Sequence, residues 1–249
     1  MLMYFCCPNF SLLSITFLII VVDIIMFIVE EVKGLEKTSA NLLQVKFLTL
    51  IELGANYQPN ELAGQVYRFL AAIFLHVNFI HILWNIFVTF LLLSRVEHTF
   101  GPLRAFVIYL LSGITANVFS VLVAKEGVKA GASTSIFGIL GTVVGYILIN
   151  WKGLDLLGPI LKCQIWCSAM MFILMILVLS PPGTDDTIDW FGHLGGFIAG
   201  LFLSSIGTTI EDNTRERVWR VVLGSLYVIM TLVCFLVFYL TQEPYDRVV

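Results

Sequence analysis

Gly131-Ala132-Ser133-Thr134-Ser135-Ile136-Phe137-Gly138 opens a run that stays free of charged side chains until Lys152 and carries two more glycines, Gly141 and Gly145. A run of that length and polarity reads as a helix crossing a bilayer. Its leading serine matters because polar groups at membrane depth are expensive and tend to be functional. A second stretch, Asp189-Trp190-Phe191-Gly192-His193-Leu194-Gly195-Gly196, places a histidine in another apolar run. Gly141 and Gly145 form a small-xxx-small face on the first helix. On the second, His193, Gly196 and Gly200 fall along one stripe. Faces of this kind allow two membrane helices to approach closely. A Ser133 hydroxyl and a His193 imidazole brought together this way make a minimal activated nucleophile. Taken singly, each residue has an ordinary structural explanation: a serine bonding back to its own helix, a histidine in a polar contact.

Composition supports a membrane setting for both runs. The 249 residues are 59% hydrophobic and 12% charged, with mean hydropathy +0.94. Soluble domains carry about a quarter charged residues, so the chain reads as a polytopic all-α membrane protein. Seven candidate spans emerge at about 10–29, 68–93, 102–124, 133–151, 160–180, 187–209 and 218–241. The first lacks a basic leader and a small-residue cleavage site and is expected to be retained as a span. There is no repeat or low-complexity tract, and 1–249 reads as one membrane domain. A net charge of −3 argues against nucleic acid as a partner.

Charge does not set the orientation. With the N-terminus inside, seven basic residues fall on each side, so the positive-inside rule does not decide between the two topologies. Arg215, Arg217 and Arg220 on one side, with Asp185, Asp186 and Asp189 on the other, lean toward a cytosolic N-terminus. The one long connection, 30–67, exceeds ordinary helix linkers. Its amphipathic stretch 40–48 suits an interfacial element rather than a crossing. Cys6, Cys7, Cys163, Cys167 and Cys234 make neither a disulfide framework nor a zinc pattern. Without a His-Glu-x-x-His motif, neither metal nor cofactor is expected.

The second span adds His76, His81 and Asn85. On one helix His81 and Asn85 lie within about 40° of each other, whereas His76 falls about 140° from His81. Two donors on one buried face suit an oxyanion site, and equally suit hydrogen bonds that cross-link helices. Spacing alone leaves both readings open. Asp189, one turn before His193, has two readings as well: a third triad member, or a solvated acid at the water boundary beside Asp185 and Asp186. The boundary position favours the second. Asp23 is an intramembrane acid with no evident partner.

The ordered set His76-x4-His81-x3-Asn85, Gly131-x-Ser133 and His193-x2-Gly196-x3-Gly200 resembles the signature of rhomboid intramembrane serine proteases. Gly54-Ala55-Asn56, Tyr67-Arg68, Glu97-x3-Gly101, Arg104, Tyr109 and Asn117 extend the likeness, which covers about residues 50–207. Each motif is weak alone; their joint order is specific. The resemblance implies a six-helix core with one further C-terminal span. It implies Ser133 as nucleophile and His193 as general base, with His81, Asn85 and the Ser133 N–H forming the oxyanion hole. It gives His76 a structural hydrogen-bonding role and Phe137 the place of the aromatic that packs on the catalytic histidine. Gly131, Gly196 and Gly200 support the site. A dyad, rather than a triad, leaves Asp189 out, and the first long loop becomes an interfacial element beside the site.

The family pattern usually has glycine immediately after the serine; here Thr134 stands there. Its Cβ would narrow the space beside the nucleophile without removing a catalytic group. Ser135, a rival by identity, points about 200° away from Ser133. The expected activity is cleavage of single-pass transmembrane substrates within the lipid bilayer, in a secretory-pathway or plasma membrane. The alternative is a catalytically inactive rhomboid-like protein that binds membrane clients; such relatives typically lose the serine or histidine, and both are present. A transporter with a His/Asp proton relay would call for inverted repeats, which the sequence lacks.

Overall fold

Six longer helices and three short ones build the part of the chain that the computed structural model describes, residues 11–36, 42–151, 188–207 and 213–243. In chain order they are α1 (Ile15–Gly34), α2 (Phe47–Leu53), α3 (Gln58–Leu62), α4 (Arg68–Ala71), α5 (Phe79–Phe100), α6 (Pro102–Val123), α7 (Ser133–Ile149), α8 (Trp190–Leu203) and α9 (Thr214–Thr241). No ladder of strands occurs among the described residues, only two isolated bridges. By length and composition α5, α6 and α9 suffice to cross a membrane, and α7 and α8 are shorter apolar helices. This is an all-α membrane protein. The expected span at 160–180 lies outside the described residues.

Caps explain where the helices depart from the apolar runs. The first span, expected at about 10–29, is a helix that starts at Ile15. Ser14 caps it by accepting from the Phe17 N–H at 3.1 Å. Glu97, from the far end of α5, accepts the N–H groups of Ile15 (2.8 Å) and Thr16 (2.9 Å) and the Thr16 hydroxyl (2.7 Å). A carboxylate there satisfies donors with no intrahelical partner and opposes the positive end of the helix dipole. The helix then runs to Gly34. The last span begins earlier than expected, at Thr214, because Asn213 caps it on the Glu216 N–H at 3.0 Å.

The second expected span, 68–93, is not one helix. Arg68–Ala71 and a 3-10 turn at Ala72–Phe74 end in extended Leu75, and α5 begins only at Phe79 under an Asn78 cap on the His81 N–H (2.9 Å). Hydropathy cannot see this break because both sides are apolar. Membrane helices tolerate a break only where other groups take up the freed backbone donors. Here the Glu30 carboxylate accepts the His76 N–H at 3.0 and 3.2 Å, and the Val77 carbonyl accepts the Val45 N–H at 2.9 Å. His76 therefore precedes the helix that carries His81, and the 140° angle assumed for a shared helix does not apply.

The centre of the fold is the pairing of α7 with α8, the most extensive helix contact among the described residues. A Cβ on Gly200 would collide with the Gly138 carbonyl, one on Gly196 with the Thr134 carbonyl, and one on Gly141 with the Phe197 carbonyl. Thr142 Oγ1 bonds the carbonyls of Gly138 and Gly200, both at 2.9 Å, across the seam. α6 packs on both helices, and α9 joins α6 through Tyr227 and Thr231, whose hydroxyls meet Thr115 at 3.1 and 3.3 Å. The long first connection holds α2 and α3. Between them Asn56 exchanges both main-chain hydrogen bonds with Lys129, each 2.9 Å, tying the connection to the loop before α7.

Gly200→Ala puts a methyl against the Gly138 carbonyl and should destabilise the protein by about 1–3 kcal/mol, read as a lower thermal unfolding midpoint in detergent; an unchanged midpoint would contradict the close seam. Glu61, fully buried in α3, accepts the Tyr57 N–H at 3.0 Å. Burial pushes its carboxyl up from 4.5 to about 8, with the Tyr57 bond and the Arg68 and Lys129 charges acting the other way. A raised folded value means that the protonated form belongs to the fold. Its contribution is complete below the ordinary carboxyl range and is lost as pH rises through about 8. Thermal stability should decline across that window, and Glu61→Gln should flatten the decline.

Candidate active site

The loop that enters α7 is built from small residues. Gly131 has φ +148°, a left-handed conformation that disfavours a side chain, and its N–H bonds the Ala72 carbonyl at 2.9 Å. A Cβ there would fall 2.9 Å from His81 Nε2 and 3.5 Å from Ser133 Oγ. Glycine therefore leaves room between the imidazole of α5 and the serine of α7. Ser133 is the first residue of α7, where a main-chain N–H has no partner within the helix.

Ser133 Oγ lies 2.8 Å from His193 Nε2, and both residues are buried. That separation is within the reach of about 2.6–3.2 Å needed for proton transfer. Phe137, one turn along α7, stacks on the His193 ring with centroids 4.2 Å apart and planes 2° from parallel. Trp190 meets the same ring edge-on at 6.4 Å. The imidazole thus packs against two aromatic rings with one nitrogen turned to the serine. Ser135 is buried in another direction: its hydroxyl lies where a Cβ on Gly113 of α6 would stand.

Asn85 is buried on the face that also carries His81. One of its amide hydrogens goes to the His81 carbonyl at 2.8 Å, which leaves the second available. His76 is fully buried; its ring lies edge-on to His81 at 5.4 Å. Its main-chain N–H donates to the Glu30 carboxylate.

Thr134 fits without displacing the pair. Its Cγ2 lies 3.0 Å from where a Gly192 Cβ would be, so the methyl occupies space that the glycine before His193 leaves open. Asp189 differs from both of its sequence readings. Its Oδ1 accepts the Gly192 N–H (2.9 Å) and the Ser120 hydroxyl (2.5 Å), and no hydrogen bond joins it to the imidazole. It is the N-cap of the histidine helix, half-buried rather than fully solvated. Asp23 is fully buried, and its carboxylate oxygens have no hydrogen-bond partner among the described residues.

Glu30 carries little sequence signal, and the partners of Asn56 and Asn117, which the sequence marks only as part of the family likeness, lie far along the chain. Asn117 donates to the Phe69 carbonyl at 2.8 Å, and Asn56 to the Asn117 carbonyl at 3.1 Å. Their polarity within apolar surroundings is the available hint: polar groups inside membrane proteins have partners more often than not. Gly138 is legible as a glycine four before Thr142, but its place opposite Gly200 is not.

The Rhomboid domain family profile matches residues 63–210. Rhomboid-like protease 1 of Toxoplasma gondii is 30% identical over 217 residues, 85% of this chain and 69% of that protein. RHOMBOID-like protein 7 of Arabidopsis thaliana is 34% identical over 56% of this chain and 42% of its own length. Inactive rhomboid protein 1 of Danio rerio is 33% identical over 58% of this chain and 16% of its own. Relatives with protease and inactive names thus occur together. The profile spans more than half of the chain, including the serine, the histidine and the α7–α8 seam that joins them, and the chain belongs to the rhomboid family.

Proposed function

We propose that the protein is an intramembrane serine endopeptidase that cleaves transmembrane segments of other membrane proteins with a Ser133–His193 dyad. The observation that carries this reading is the 2.8 Å contact between Ser133 Oγ and His193 Nε2, with the imidazole stacked on Phe137. The tautomer that accepts at Nε2 takes the serine proton as Oγ attacks the scissile carbonyl. The resulting oxyanion is met by the Ser133 N–H, the free amide hydrogen of Asn85 and the His81 ring. Prealigned donors in a dry site are worth more than in water. Collapse expels the amine, which takes its proton from His193. Water then attacks the acyl-enzyme with His193 again as base, releasing the acid and restoring Ser133.

A helical substrate must unwind locally before its carbonyl can be reached, which favours segments with Gly, Pro or Ser near the cut. The chain acts as one membrane domain, with a core at about 10–209 and an additional span at about 218–241. Its N-terminus is cytosolic, in a secretory-pathway or plasma membrane, and the dyad opens toward the luminal or extracellular side. The second reading, an inactive client-binding protein, draws on the likeness to an inactive relative and on Thr134 beside the nucleophile.

A fluorophosphonate probe on detergent-solubilised protein separates the two. Labelling should occur on wild type, vanish in Ser133→Ala and persist in Ser135→Ala; an unlabelled but folded wild type supports the inactive reading. His193→Ala should lower cleavage of a transmembrane reporter by about 10³-fold or more. Loss of one oxyanion donor, as in Asn85→Ala or His81→Ala, should lower kcat by about 10²–10³-fold. Full activity in Asn85→Ala would remove that residue from the oxyanion assignment.

A further inference from the structure

Glycine faces let α7 and α8 come close, but they are smooth. With few side-chain knobs to interlock, they do little to stop one helix sliding along the other. Thr142 bridges the seam near its middle. At the outer end, beside the dyad, a different set of groups holds the register, and all of them meet at one residue of a third helix. Ser120, fully buried near the end of α6, donates its hydroxyl to Asp189 Oδ1 at 2.5 Å. Its main-chain carbonyl accepts Lys129 Nζ at 3.2 Å, and Lys129 also reaches the Ala124 carbonyl.

Each partner leads directly to one half of the dyad. Asp189 caps α8 through the Gly192 N–H, and its main-chain carbonyl accepts the His193 N–H at 2.9 Å. Lys129 stands four residues before Ser133, in the loop whose main chain is paired with Asn56. The charges of Lys129 and Asp189 also favour one another. The histidine helix and the serine loop are thus both referenced to Ser120. We propose that Ser120 and Asp189 are positioning residues, which set the height of His193 against Ser133 without touching the reacting atoms. The proposal rests on reading Ser133 and His193 as a catalytic dyad. Its physical basis is that misplacement of a reacting group by about 1 Å can cost about 10²-fold in rate.

The chemistry of the latch separates conservative from disruptive changes. Ser120→Ala removes the hydroxyl bond to Asp189 and leaves the carbonyl that holds Lys129. Asp189→Ala removes both the cap and the Ser120 bond. Ser120→Thr keeps a hydroxyl, and Asp189→Asn keeps an oxygen that can accept from both donors.

The experiment uses the full chain in detergent and in vesicles, with fluorophosphonate labelling, kcat and KM on a transmembrane reporter, and thermal unfolding measured together. Ser120→Ala and Asp189→Ala should lower the labelling rate and kcat by about 10- to 100-fold with KM changed less than about twofold. Ser120→Thr and Asp189→Asn should recover most of kcat. Glu97→Ala, which loosens the cap of α1 far from the dyad, serves as a destabilised control and should not reproduce the kcat-only loss. Wild-type kcat in both alanine variants, or the same kcat loss in the Glu97→Ala control at equal destabilisation, overturns the proposal.

A second readout is independent of catalysis. Amide hydrogen exchange over residues 189–196, the start of α8, should speed up by about fivefold or more in Ser120→Ala, because Asp189 loses the bond that anchors its cap. Unchanged exchange there overturns the latch even if the protein proves to have no protease activity. Absence of wild-type labelling with faster exchange would overturn the dyad reading while leaving the latch intact.

Discussion

The approach of α7 to α8 without intervening side chains is the constraint on which the site depends. The Gly138 carbonyl lies where a Gly200 side chain would be, and the Thr134 carbonyl where a Gly196 side chain would be. Only backbones this close allow a side chain as short as serine to reach an imidazole on the neighbouring helix. The same closeness lets Thr142 bond carbonyls of both helices. In lipid, apolar contact between helices has no advantage over contact with acyl chains, so close packing and cross-helix hydrogen bonds drive association instead. The geometry at Ser133 and His193 follows from that packing.

The rest of the structure answers a second requirement, that no backbone polar group be left bare in hydrocarbon. The chain breaks its helices at 75–78, at 124–132 and before Trp190, and each break carries or adjoins part of the site. The breaks are supported from a distance. Glu30 of α1 holds the His76 N–H, Asn56 holds the loop before Ser133 through Lys129, and Asp189 closes the start of α8. Glu97 does the same for α1 from the far end of α5. Irregular backbone is where side chains and N–H groups can be aimed at one point. The polar residues that stabilise it are spread over the whole chain.

Much of this is legible without coordinates. Apolar runs locate α6 and α7 almost to the residue, and the glycine spacing on the two helices marks the faces that meet. That Ser135 points away from Ser133 follows from helical geometry. Hydropathy misleads across 68–93: it joins α4 and the turn after it to α5 and so puts His76 on the wrong element. Asp189 resembles a solvated acid because its neighbours in sequence are acids at a water boundary, whereas its partner, Ser120, is 69 residues away.

Sequence by itself determined the class of the protein: an all-α membrane chain of the rhomboid family, with a serine and a histidine on glycine-faced helices. These properties reside in local composition and in short motifs in a fixed order. Tertiary structure alone decided the 2.8 Å meeting of Ser133 with His193, the stacking of Phe137, and the accommodation of Thr134 opposite Gly192. It also decided which carboxylates serve as caps. The physical reason is that a hydrogen bond or a steric fit belongs to a pair. When its members are about 60 residues apart, neither residue's local sequence records the other.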